Sequence, residues 1–133
     1  MTQLAPTSST PLPAARLIAI LAADAAGYSR LMAIDDRLTV ELQDAGRAVF
    51  RDACAEHQGR VVDMAGDSVL LAFGSAASAL RCALVVQQRL VAQANPQTGT
   101  LRLPFRIGIH LGDVIEKADG SVYGDGVNIA ARL

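Results

Sequence analysis

The chain has no tryptophan, and aromatic residues make up only 4% of its 133 positions. Because 51% of the residues are hydrophobic, the core has to be built from aliphatic side chains and alanine. A chain of this length is a single domain that buries roughly two-thirds of its unfolded surface. There is no excess of charge of either sign: the net charge is −1 and the pI about 6.0. That balance excludes the broad basic field that would draw the chain to nucleic acid or to an acidic membrane face. Metal-spaced cysteines are absent. Cys54 and Cys82 are the two thiols, each inside a helical pattern, and they read as buried free cysteines of a reducing, cytoplasmic compartment. Long apolar runs are absent too. Residues 17–23 are apolar, but Asp24 ends the run and no positive charge precedes Arg16, so it is neither a signal-peptide core nor a membrane span. Phosphate loops of the Walker and Gly-x-Gly-x-x-Gly kinds are missing. The stretch from Asp119 lacks the closing glutamate of a calcium loop. His57 and His110 stand alone and read as surface or packing residues.

Residues 1–15, rich in Pro, Ser and Thr, read as a disordered tail, and residues 16–133 as the domain. Within it, residues 16–23 predict a central strand and residues 25–29 a turn entering a helix. Asp35 or Asp36 caps the next helix, with Leu38, Leu42, Ala45, Val49 and Ala53 as its apolar stripe; Gln58-Gly59 stops it. Residues 60–64 and 68–73 flank Ala65-Gly66-Asp67 as a hairpin. Ser75 caps a helix that carries Ala76, Ala79, Ala83, Val86 and Leu90 on one face. Residues 105–111 alternate as a strand, Val114-Ile115 begin another, and residues 95–100 and Asp119-Gly120 mark loops. Helices interleaved with a sheet around a central hairpin predict an α+β, ferredoxin-like sandwich.

Three features carry chemistry. Asn128 and Arg132 are four apart on a helix of small residues, an amide and a guanidinium on one face; the alternatives are a solvated polar face or a phosphate site. Asp24 and Asp67 each lie just beyond an apolar strand segment. If their strands are neighbours, the two carboxylates meet at one sheet end and suit a hard cation; otherwise Asp24 is a helix cap and Asp67 an ordinary turn residue. Gly27 and its alanine neighbours leave backbone amides open ahead of a helix, a place for a phosphate group.

Leu-Ala-Ala-Asp24-Ala-Ala-Gly-Tyr-Ser, the hairpin Gly66-Asp67, the strand Phe105-Arg-Ile-Gly-Ile-His-Leu-Gly-Asp-Val114 and the terminal Gly-Asp-Gly-Val-Asn128-Ile-Ala-Ala-Arg132 together resemble the catalytic domain of class III nucleotidyl cyclases, in that family's order, from Arg16 to Leu133. The resemblance implies conversion of ATP to 3′,5′-cyclic AMP and pyrophosphate with two Mg²⁺ or Mn²⁺ ions. It implies Asp24, Asp67 and the carbonyl of Ala25 as metal ligands, Asn128 orienting the ribose and Arg132 stabilising charge on the α-phosphate. Ala26, Gly27, Tyr28 and Ser29 match the phosphate-binding turn. It further implies a homodimer in which each site takes its metal residues from one protomer and its Asn/Arg pair from the other. Nucleic acid and membrane insertion have no part in it.

The chain departs from the adenylyl pattern where the base is read. Asp63 and Ser121 stand where a Lys and an Asp or Thr are common. A carboxylate accepts from guanine N1–H and the 2-amino group but cannot donate to adenine N1, so GTP conversion to cyclic GMP is the alternative substrate reading. Asp63 pairing with Arg60 or facing solvent is the structural one. The family pattern also continues beyond Leu133, so that the chain carries about two-thirds of such a domain. A cyclase-like dimerisation or regulatory module without turnover is the alternative of another class.

Overall fold

The apolar run at the start of the domain becomes the strand on which the rest is assembled. In the computed structural model, which describes residues 15–93, 102–119 and 122–124, β1 (Ala15–Ala25) is followed by α1 (Tyr28–Ile34), α2 (Asp36–Glu56), β2 (Arg60–Asp63), β3 (Ser68–Phe73), α3 (Ala76–Ala92), β4 (Phe105–Glu116) and β5 (Val122–Tyr123). The strands form one antiparallel sheet in the order β2-β3-β1-β4-β5. β1 therefore lies between β3 and β4, the two helical connections each skip one strand, and the split βαβ arrangement of a ferredoxin-like α+β fold results. β1 carries alternate residues to opposite faces. Ala19, Leu21, Ala23 and Ala25 pack under the helices with Val69, Leu71, Phe73, Phe50 and Phe105. Ile18, Ile20 and Ala22 join Ala72 and Val114 on the other face. The few aromatics are concentrated in the first cluster, where Phe50 and Phe105 meet edge to face at 5.2 Å.

Several local expectations are met by named contacts. Asp35 caps α2 through Leu38 N–H at 3.0 Å, and Ser75 caps α3 through Ser78 N–H at 3.1 Å. Cys54 and Cys82 are free and buried.

On α3 the inner face is Ala79, Cys82, Ala83 and Val86, with Ala76 exposed and Leu90 half-buried, and three details of α2 and β4 also differ from the sequence reading. First, the buried face of α2 is Thr39, Gln43, Gly46, Val49, Phe50, Ala53 and Cys54, while Leu38 and Leu42 are only half-buried and Ala45 is exposed. Two polar residues take the inner positions because each finds an acceptor: the Thr39 hydroxyl donates to the Asp35 carbonyl at 2.7 Å, and the Gln43 amide donates to the Gly66 carbonyl. Gly46 is inside because the Phe105 ring lies against it; a Cβ there would sit 2.6 Å from Phe105 Cε1. Second, α2 is stopped by Gln58, which takes the left-handed conformation (φ 55°). Gly59 serves packing instead: a Cβ at this position would be 2.4 Å from Phe73 Cε2 and 2.7 Å from Cys54 Sγ. Third, Val114-Ile115 do not open a new strand. β4 runs unbroken through Gly112 and Asp113, paired with β1 from Phe105 opposite Ala25 to Ile115 opposite Ala15.

Candidate active site

The C-terminal end of β1 and the turn between β2 and β3 meet at one end of the sheet. Asp24 is paired with Ser68, the residue after Asp67, and the Ala25 N–H donates to the Asp67 carbonyl at 3.2 Å. Neighbouring strands thus bring the two carboxylate residues together, as the sequence reading required for a cation site. The turn that carries Asp67 is closed by the Ser68 N–H on the Ala65 carbonyl at 3.0 Å. Gly66 occupies its left-handed position at φ 59°, where a side chain would be strained.

The register of β4 adds a residue that sequence reasoning left as one position of an alternating strand. Arg106 lies directly opposite Asp24 and grips it with two hydrogen bonds, Nε to Oδ1 at 3.0 Å and Nη2 to Oδ2 at 2.9 Å. The Asp24 carboxylate, through these hydrogen bonds and then through its charge, raises the Arg106 pKa, and the Asp67 charge adds to the effect. Arg106 is thus paired with Asp24 and feels the charge of Asp67 as well. The signal was available in the antiparallel pairing of β1 with β4, but only once the register is known.

Past Asp24 the chain turns into α1 through Gly27, which is left-handed at φ 74° and offers no side-chain cap. The amides proposed as open here are narrowed by the fold: Ala25 N–H is bound to Asp67, and Ala26 N–H donates to the Pro104 carbonyl at 2.8 Å. Of the expected phosphate-binding residues Ala26, Gly27, Tyr28 and Ser29, Ala26 has its N–H engaged within the fold.

Asp63 ends β2 in an exposed position, where its Oδ1 accepts the Met64 N–H at 2.9 Å. Arg60, the neighbour suggested for it, donates to Glu116 at 2.6 Å. Ser121, Asn128 and Arg132 lie outside the described residues. Among the described residues no group of three or more His, Cys, Asp and Glu side chains is placed to enclose a metal ion, and no helix is long and apolar enough to cross a membrane.

Comparison with known proteins gives this arrangement a context. The adenylate and guanylate cyclase catalytic domain family matches residues 12–133. The chain is 44% identical over 119 residues to "Putative adenylate cyclase 3" of Rhizobium meliloti, covering 89% of this chain and 20% of that protein. It is 33% identical over 120 residues to an adenylate cyclase of Streptomyces coelicolor, covering 89% of this chain and 29% of that protein. Among solved structures, an adenylate/guanylate cyclase/hydrolase from Silicibacter pomeroyi is 42% identical, with a TM-score of 0.78 over 90% of this chain and 70% of that one. The chain thus spans less than a third of the length of these two relatives. The fold, the family match and the order of its motifs agree, and the chain belongs to the adenylate and guanylate cyclase catalytic domain family.

Proposed function

We propose that this chain is catalytic machinery of an adenylate cyclase, forming 3′,5′-cyclic AMP and pyrophosphate from ATP in a homodimer with shared sites. The observation that carries the reading is the meeting of Asp24, Asp67 and Arg106 at one end of adjacent strands. Two carboxylates and a backbone oxygen, with no sulfur or imidazole among them, fit a hard divalent cation that keeps most of its shell for water and phosphate oxygens. Asp24, Asp67 and the Ala25 carbonyl would hold Mg²⁺ or Mn²⁺. The chemistry that such a pair of ions supplies when bound is polarisation of the ribose 3′-hydroxyl and neutralisation of charge on the phosphates.

The chain's own groups do the rest. A guanidinium has five N–H donors, and Asp24 uses two of those on Arg106, which leaves the others for phosphoryl oxygens. Gly27, Tyr28 and Ser29 present backbone amides to the same end of the nucleotide. Asn128 orients the ribose, and Arg132 stabilises charge growing on the α-phosphate; both are supplied by the partner protomer.

ATP is the first substrate reading because the R. meliloti and S. coelicolor relatives are named adenylate cyclases. GTP is the second, supported by Asp63, whose carboxylate is exposed and one of whose oxygens is taken by Met64 N–H. A cytoplasmic location belongs to the proposal, since both cysteines are free thiols. The test is turnover of ATP and GTP by the intact protein with Mn²⁺, alone and as mixtures of Asp67→Ala and Arg132→Ala variants. Each variant is expected to be inactive, and the mixture to regain part of the activity through the one unmutated site of a heterodimer. No recovery although heterodimers form would refute shared sites. No turnover of either nucleotide by the unmutated protein would make it a silent dimerisation or regulatory module.

A further inference from the structure

We infer that Gln43 and Arg47 are positioning residues for the Asp67 carboxylate, acting through the carbonyl of Gly66. The inference rests on the reading of Asp67 as a cation ligand. α2 lays one ridge of residues, spaced four apart, along the β2–β3 turn: Gln43 and Arg47 both donate to the Gly66 carbonyl, and Arg51 Nη2 lies 3.4 Å from Met64 Sδ. A carbonyl oxygen has two lone pairs, and here both are occupied from a single helix. The Gly66 carbonyl and the Asp67 N–H belong to one rigid peptide plane. Fixing that oxygen fixes the plane, and with it the direction in which the Asp67 side chain leaves the backbone.

The turn needs such a restraint. Gly66 is left-handed, and glycine allows the peptide that follows it to rotate more freely than any other residue does. The Asp67 carbonyl is separately tied to Ala25 N–H at 3.2 Å, so Asp67 is held on both sides, once from β1 and once from α2. Burial shows that the α2 contact is specific. Gln43 is 6% exposed, one of two buried polar residues among those described. Arg47 keeps its Nε buried without a partner among the described residues, a cost that a solvent-facing arginine avoids.

The experiment is Mn²⁺ titration of the purified protein followed by electron paramagnetic resonance, with circular dichroism to select folded variants. Gln43→Met and Arg47→Met each remove a donor and keep most of the volume; Arg47→Lys keeps a donor. The two Met variants are expected to bind Mn²⁺ roughly 10-fold or more weakly, with Arg47→Lys close to the unmutated protein. A purely structural role would lower thermal stability and leave the Mn²⁺ affinity of the folded protein unchanged. Unchanged affinity in folded Met variants, while Asp67→Ala loses binding, would overturn the inference and leave the cation reading standing. Unchanged affinity in Asp67→Ala would overturn the cation reading itself. If Gln43→Met does not fold, the comparison of Arg47→Met with Arg47→Lys at the half-buried position decides alone.

Discussion

Three glycines separate the physical reasons for which a side chain is refused, and their alanine variants should fall in a set order of stability. At Gly59 an added Cβ would lie 2.4 Å from Phe73 Cε2, 2.7 Å from Cys54 Sγ and 2.9 Å from Phe73 Cδ2. Neither neighbour has room to retreat, since Phe73 is 2% and Cys54 1% exposed. Overpacking of this kind costs about 1–3 kcal/mol, and three contacts with buried atoms place Gly59→Ala towards the upper end. At Gly66 nothing lies within 4 Å, but φ is 59°, so alanine meets only the left-handed backbone penalty of about 1 kcal/mol. At Gly74 there is neither a neighbour within 4 Å nor a positive φ; alanine there should be neutral or gain a few tenths of a kcal/mol by restricting the unfolded chain. Urea unfolding followed by far-ultraviolet circular dichroism suits a protein without tryptophan. With a slope of about 1–3 kcal/mol per molar urea, Gly59→Ala should lower the midpoint by on the order of 1 M, Gly66→Ala by less, and Gly74→Ala not at all. A Gly59→Ala midpoint equal to that of the parent, or a Gly66→Ala loss larger than the Gly59→Ala loss, would refute this account of the packing between α2, β2 and β3.

Two further outcomes follow from the site and the core. With ATP as the substrate, Asp63→Ala should change ATP and GTP use alike; a loss of GTP use alone by about tenfold or more would show a carboxylate reading guanine. Burial, and after it the neighbouring Cys54, pushes the Cys82 thiol from its ordinary 9.0 up to about 11. The folded state then holds a proton that the unfolded chain releases, so this contribution is complete below pH 9 and is lost as pH rises to about 11. It amounts to at most about 3 kcal/mol, and Cys82→Ala should flatten the corresponding part of a stability-against-pH curve.

The strands and the hairpin were legible because their signals are local: apolar runs, turn residues and capping side chains. The α2 face was not. Its apolar pattern pointed to Leu38, Leu42 and Ala45, yet the inner positions belong to Thr39, Gln43 and Gly46. Hydropathy cannot anticipate that Gln43 finds an acceptor on a turn 23 residues away or that Gly46 is a notch for Phe105. β4 was divided at Gly112-Asp113 because glycine and aspartate ordinarily punctuate strands. The pairing with β1 carries the strand through them: Gly112 lies opposite Ile18 and Asp113 opposite Leu17. At the site, Asp24 and Asp67 were found from their places after apolar segments, whereas Arg106 needed the β1–β4 register.

The bulge in β2 bears on how copies of this chain can associate. β2 forms one edge of the described sheet, has four residues, and slips register against β3 between Val61 and Asp63. Charged residues close both of its ends, Arg60 and Asp63. An outer strand that is short, kinked and charged is a poor template for another strand, which needs a straight row of free N–H and C=O groups to add to. Sheet extension along this edge is therefore disfavoured, and a second copy has more to gain by meeting the faces and loops of the domain than by prolonging its hydrogen-bond ladder. The residue that the slip leaves unpaired is Val62; Asp63 resumes the pairing opposite Leu70, so the irregularity that guards the edge still ends on an exposed carboxylate at the rim of the hairpin that carries Asp67.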